Sequence, residues 1–175
     1  MFVTRPRAAR AAMLASLAGA TLMLSAATRH SAPAFGGPWI SIETPANPYD
    51  RATYGAIMLV HTFHHSTKVE LPLAGKAEGL VNGERKSVAL TFGKSSQAGT
   101  RSVRNEWGSK GIWTVVLTAT EGQNSIQAVA EINADGSVGK VSVPTKNGRP
   151  HLLSVAEIDQ GLRERARAPM AVGGR

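Results

Sequence analysis

The chain has 175 residues, with 20 Lys and Arg against 12 Asp and Glu and no Cys, so its formal net charge is +8. The absence of cysteine excludes disulfides, a thiolate nucleophile, a cysteine-ligated metal centre and lipid attachment to an N-terminal cysteine. Four of the 20 basic residues and none of the 12 acidic ones lie within residues 1–34. The net charge beyond residue 34 is therefore only +4, and it gives no indication of nucleic-acid binding.

The N-terminus has the pattern of a secretory signal peptide. Three arginines within residues 1–10 are followed by an uncharged, mostly apolar run at residues 11–27. Small residues permit cleavage after Ala27 or after Ala34, and we favour the second site, which assigns residues 1–34 to the leader. The alternative is an uncleaved leader that serves as a weak membrane anchor, because the run is at the short limit for a span. We expect a periplasmic or secreted protein.

Short runs of β-branched and apolar residues, separated by turn residues, predict a series of β-strands after the leader. Asn82-Gly83 predicts a type I′ hairpin, because both residues tolerate positive φ. Pro45 and Pro48 predict an irregular connection, and residues 93–99 predict a loop. The expected strands are residues 39–43, 56–64, 77–80, 85–92, 101–107, 112–120, 125–132 and 138–143.

One helix is predicted, near the C-terminus. Ser154 and Glu157 have the spacing of a capping box, and Ile158 and Leu162 repeat at i, i+4. Its apolar stripe is narrow, so we expect the helix to pack on the sheets or on a partner. The predicted fold class is all-β: an antiparallel immunoglobulin-like β-sandwich of about seven or eight strands at residues 35–150. A signal-peptide helix precedes it, and a short C-terminal α-helix and tail follow at residues 151–175.

His61, His64 and His65 are the candidate metal ligands, since neutral imidazole binds copper and zinc and Met58 could add a thioether. Strand geometry opposes a shared site. Side chains alternate in a strand, so His61 and His65 lie on one face and His64 on the other. Four residues separate His61 from His65, a distance of about 13 Å in an extended strand. The alternative is that His61 is a partly buried strand residue, followed by a polar strand end.

Trp107, with Arg101 and Arg104 beside it, is the candidate partner-binding patch. Tryptophan and arginine are enriched at the energetic centres of protein interfaces. Trp107 ends a polar strand, and a position at a sheet edge would expose it. The alternative is that Trp107 packs in the core or at its rim. No catalytic residue and no cofactor is indicated by any motif in the chain.

The Asn82-Gly83 hairpin, Trp107-Gly108 and the glycine-led strand that begins at Gly111 resemble exported immunoglobulin-like or transthyretin-like accessory modules of bacterial envelope proteins. This resemblance covers about residues 39–144 and implies a fold but carries no family site. It implies a non-enzymatic binding or accessory module that recognises an extracytoplasmic protein partner through a sheet edge or loops. The alternative function is a periplasmic copper- or zinc-binding protein that uses His61, His64 and His65.

Overall fold

Alternating apolar and polar residues form a series of antiparallel strands, and one helix follows them. The computed structural model of the chain describes residues 37–168. One 3₁₀ turn, η1 (Arg51–Thr53), and one α-helix, α1 (Val155–Arg167), accompany the strands. The strands are β1 (Pro38–Glu43), β2 (Met58–His64), β3 (Thr67–Lys68), β4 (Leu73–Val81), β5 (Glu84–Ala89), β6 (Phe92–Lys94), β7 (Thr100–Val103), β8 (Ile112–Glu121), β9 (Asn124–Ile132), β10 (Val138–Ser142), β11 (Thr145–Lys146) and β12 (Arg149–Pro150).

These strands form two five-stranded sheets and a small hairpin of β11 and β12. The first sheet has the order β1-β2-β7-β6, with β3 also paired to β2, and the second has the order β10-β9-β8-β4-β5. Residues from both sheets, including Met58 and Val60 of the first and Val115 and Leu117 of the second, belong to one buried apolar cluster. The expected all-β, antiparallel class with a C-terminal helix is confirmed.

The predicted faces of β8 are confirmed. Trp113, Val115, Leu117 and Ala119 are at most 4% exposed and line the core between the sheets. The opposite face is also buried at Thr114 and Val116, because α1 packs across β4 and β8. A strand that is covered on both sides retains a largely apolar sequence, as the run at residues 112–120 does.

The β4–β5 hairpin forms as predicted, but the strand expected at residues 85–92 is two strands in different sheets. Asn82 has a φ of 54° and Gly83 a φ of 82°, the positive values that a type I′ turn requires. Strand β5 ends at Ala89 in the second sheet, and Phe92 begins β6 in the first, opposite Val103. Leu90 and Phe92 both contact the shared core, so apolar alternation continues through the crossing and conceals it.

The strand expected at residues 101–107 is shorter in the structure, where β7 spans Thr100–Val103. The side-chain oxygen of Asn105 accepts hydrogen bonds from the backbone N–H groups of Trp107 and Gly108, at 3.3 and 3.1 Å. This local turn ends extended structure after β7 and directs Trp107 inward.

The predicted helix and its capping box are present. The backbone N–H of Glu157 donates to Ser154 Oγ, and the backbone N–H of Ser154 donates to Glu157 Oε2 at 2.8 Å. Leu162 is 1% exposed where α1 meets the second sheet. Arg165 donates to the backbone oxygens of Trp113 and Ile132, both at 2.8 Å, which joins the helix to two strands.

The predicted signal peptide and both predicted cleavage sites lie outside the described residues. Within residues 37–168, no helix has the length and apolar character needed to cross a membrane.

We expect any side chain at Gly79 to destabilise the protein. It pairs with Trp113 across β4 and β8, and a Cβ atom at Gly79 would lie 2.6 Å from Cδ2 of the indole. We expect Gly79→Ala to lower the free energy of unfolding by about 1–3 kcal/mol through overpacking, measured by urea denaturation. The matched control is Gly161→Ala in α1, where a Cβ meets no atom within 4 Å. That change should stabilise the protein by up to about 1 kcal/mol. Equal stability of Gly79→Ala and wild type would contradict this account of the packing.

Candidate functional site

Three polar side chains meet on the outward face of the first sheet. Glu43, His61 and Thr100 come from β1, β2 and β7, which lie side by side, and the register sets His61 opposite Thr100. His61 Nε2 is 3.0 Å from Glu43 Oε2, and His61 Nδ1 is 2.9 Å from Thr100 Oγ1. His61 is 7% exposed and Thr100 is 3% exposed, so the imidazole is held in a largely dry environment.

Lys68 determines which nitrogen of His61 carries the proton. Its Nζ lies 3.2 Å from His61 Nδ1 and 3.1 Å from Gln97 Oε1. An ammonium group can only donate, so Nδ1 acts as the acceptor and Nε2–H donates to the Glu43 carboxylate. We call Glu43, His61, Lys68, Gln97 and Thr100 the His61 network.

Burial lowers the pKa of His61 below its ordinary value of 6.5. The hydrogen bond to the Glu43 carboxylate opposes this shift in pKa, and the nearby Lys68 cation reinforces it. Desolvation penalises the charged form of an imidazole, so the ring is neutral at pH 7.

The hydrogen-bonded series of carboxylate, imidazole and hydroxyl groups in the His61 network has the composition of a hydrolytic triad. The surroundings of Thr100 oppose that chemistry. Thr100 is 3% exposed, so a substrate carbonyl cannot reach its hydroxyl in this conformation. Lys68 Nζ also lies within hydrogen-bonding distance of the nitrogen that would act as the base. The geometry instead suits a support for the loop that carries Gln97.

That loop, residues 95–99 between β6 and β7, is also joined to the connection between β1 and β2. Asp50 Oδ2 accepts hydrogen bonds from the hydroxyls of Ser95 and Ser96, each at 3.0 Å. Its other oxygen accepts from the backbone N–H of Ala52 at 3.0 Å and caps η1. One carboxylate thus fixes two loops to each other.

The connection between β1 and β2, residues 44–57, presents two aromatic side chains to solvent, and we call it the tyrosine loop. Tyr49 is 92% exposed and Tyr54 is 84% exposed. Between them Thr53 is buried, and its hydroxyl donates to the Asp50 backbone oxygen at 2.9 Å. The Arg104 guanidinium donates to the backbone oxygen of Tyr54 at 3.1 Å. The two exposed rings are therefore carried by a loop with several internal attachments.

The predicted metal ligands are not brought together. His61 belongs to the His61 network, His64 Nδ1 lies 2.8 Å from Glu121 Oε1, and the exposed His65 contacts the edge of the His64 ring. Met58 is fully buried in the core. Among residues 37–168, no group of three or more His, Asp or Glu side chains is arranged to hold a metal ion. Strand alternation separates His61 from His64, and a carboxylate already pairs with each of these two rings.

The structure does not bring Arg101, Arg104 and Trp107 together as an exposed patch, and the alternative of core packing describes Trp107. Trp107 is 7% exposed, and its ring centroid lies 6.4 Å from that of Trp113 in the core. Arg101 pairs with Glu70. Arg104 contacts the tyrosine loop at the backbone oxygen of Tyr54. The turn at Asn105 explains the difference, since it ends the strand that would have carried Trp107 to an edge.

Sequence reasoning missed the residues that surround His61 and the two exposed tyrosines. A signal for the tyrosines was available. Both tyrosines of the chain lie in the segment with Pro45 and Pro48, where no strand can bury an aromatic ring. The partners of His61 had no such signal, because Glu43 is 18 residues away and Thr100 is 39 residues away along the chain.

Comparison with known proteins identifies no relative of this chain. No protein family, no curated protein and no solved structure matches it.

The His61 network predicts a specific dependence of stability on pH. The pKa of His61 is lower in the folded chain than in the unfolded one, so the unfolded chain binds more protons just below pH 6.5. The contribution of neutral His61 to stability is complete above that pH and is lost as the pH falls through the lowered pKa. We expect His61→Gln to reduce the loss of stability between about pH 7.5 and pH 5.5, measured by urea denaturation.

The control is His65→Asn, which alters an exposed histidine with φ of 53°, a conformation that asparagine tolerates. It should keep the pH dependence of the wild type. An unchanged pH dependence in His61→Gln would show that the buried imidazole makes no such contribution.

Proposed function

We propose that this chain is a non-enzymatic binding or accessory module of the bacterial envelope, exported from the cytoplasm, which recognises a protein partner through the tyrosine loop. Its proposed architecture is an immunoglobulin-like β-sandwich. Two five-stranded antiparallel sheets that share one core support this architecture. The leader pattern at residues 1–34 supports export.

The observation that carries the proposal is the exposure of Tyr49 and Tyr54. A tyrosine ring in solvent leaves a large apolar surface unburied, and both tyrosines of this chain are more than four-fifths exposed. Tyrosine is enriched at interface hot spots because it buries a large area, has few rotatable bonds and offers a hydroxyl for hydrogen bonding. Two such rings within six residues favour a recognition loop over a solvent-facing connection.

The attachments of the tyrosine loop favour binding without prior ordering. Asp50 joins it to the loop that contains Ser95 and Ser96, and Gln97 of that second loop contacts Lys68 in the His61 network. A loop that is already ordered loses little conformational entropy on association, so more of the contact energy appears as affinity.

The charges around the rings indicate the chemistry of the partner. Arg51 is exposed within the tyrosine loop, and the exposed Arg104 lies against it. The carboxylate of Asp50, by contrast, is engaged by serine hydroxyls. A surface with two tyrosines and two arginines fits a partner that offers carboxylates around an apolar recess.

The tyrosine loop is tested by Tyr49→Ala and Tyr54→Ala in one variant. Immobilised wild-type protein should retain a partner from the envelope or secreted fraction, and that partner is then purified for titration. A hot-spot tyrosine contributes about 2 kcal/mol or more, so a single hot spot among the two rings is enough for the double variant to weaken the Kd by at least about 30-fold. The matched control is Trp39→Ala, which removes a half-exposed aromatic ring on β1 outside the loop. Equal affinity of the double variant and wild type would contradict the proposal.

Export is tested by mass spectrometry of the protein isolated from the cells that make it, because the mass identifies its N-terminal residue. We expect a chain that begins at Phe35, with Thr28 as the other start that the small residues permit. A cytoplasmic protein that retains residues 1–34 would contradict export without affecting the test of the tyrosine loop.

A further inference from the structure

A recess lies on the second sheet, between the β4–β5 turn and the last turns of α1. Its volume is about 290 Å³. Leu80 and Gly83 form one side, and Leu162 and Ala166 of the helix form the other. This volume is near the lower limit for small-molecule pockets, so it suits a ligand of a few heavy atoms or one end of a longer molecule.

Arg85 pairs with the acidic side chain that faces this recess. Its Nε donates to Asp159 Oδ1 at 2.5 Å, and its Nη1 donates to Glu78 Oε2 at 2.8 Å. Asp159 lines the cavity, and this guanidinium offsets its charge only in part, because it also pairs with Glu78. Asp159 therefore repels an incoming anion less than an unpaired carboxylate would.

Arg163 and Arg167 supply unmatched positive charge at the same recess. They occupy positions i and i+4 on α1, so they lie on one helix face. Both line the cavity. Neither forms an ion pair with another residue of the described chain. Two full positive charges outweigh the partial negative charge of about half a unit at the helix C-terminus. Guanidinium groups bind carboxylate and phosphate through paired N–H donors.

We propose that this recess binds a small amphiphilic anion, a carboxylate or phosphate that carries a short alkyl chain. The anionic group contacts Arg163 and Arg167, and the alkyl chain lies on Leu80 and Ala166. This ligand site is separate from the tyrosine loop, which belongs to the connection between two strands of the first sheet.

The test is titration of the full chain with octanoate, octyl phosphate and inorganic phosphate by calorimetry. We expect saturable binding of octanoate, octyl phosphate or both, with inorganic phosphate at least about tenfold weaker because it lacks apolar contacts. A preference between the two amphiphiles identifies the anionic group. Failure of both to bind would overturn the proposal, as would equally tight binding of inorganic phosphate.

Three variants locate the site. Arg163→Gln with Arg167→Gln should weaken binding by about tenfold or more through loss of charge-assisted hydrogen bonds. Ala166→Trp should also abolish binding, because the indole fills the recess while both arginines remain; Ala166 is exposed, so the larger side chain can be accommodated. The matched control, Arg149→Gln, removes an exposed arginine outside the cavity and should bind like wild type. Unchanged binding by Ala166→Trp, or equal loss in the control, would assign the effect to general surface charge and overturn the proposal.

Discussion

The structure depends on two strands that are buried on both faces, β2 and β8. The inward side chains of both strands meet in one core. The outward side chains are buried as well. On β2, Leu59 is 3% and His61 is 7% exposed, and on β8, Thr114 is 7% and Val116 is 8% exposed. The chain contains no cysteine, so no disulfide assists this packing. Central strands of this kind are stable only if other parts of the chain exclude water from their outward faces.

The two outward faces are covered by different chemistry. Helix α1 covers β8 with the buried side chain of Leu162 and with the partly buried hydrogen bonds of Arg165. Apolar contact and hydrogen bonds together hold the helix on this face. At His61 the cover of β2 is polar, and a buried imidazole is tolerated because Glu43, Thr100 and Lys68 satisfy its nitrogens. Lys68 also contacts Gln97, whose loop is tied through Asp50 to the tyrosine loop. The polar network that completes the β2 side thus extends to the loops that display the aromatic rings.

Local patterns in the sequence were sufficient for features that depend on neighbouring residues. Alternation identified the core face of β8, Asn82-Gly83 identified the hairpin, and Ser154 with Glu157 identified the start of α1. Features that depend on tertiary contacts were not predictable in this way. The crossing between sheets at Leu90 to Phe92 keeps its apolar alternation because both sheets border the same core. The sequence singles out His61 but not its partners. Strand register determines which residues lie beside His61, and it cannot be read from the separation of Glu43 and Thr100 from His61 along the chain.

Recognition through the tyrosine loop, as proposed, requires that this loop is ordered before any partner binds. Backbone ¹⁵N relaxation on the isolated protein tests this requirement through the amide order parameters of residues 46, 47 and 49–54. We expect values of about 0.85, as in rigid backbone, and a fall in those values when Asp50→Ala removes the hydrogen bonds to Ser95 and Ser96. Values below about 0.6 in the wild type would contradict it, because a mobile loop would have to lose that freedom on binding.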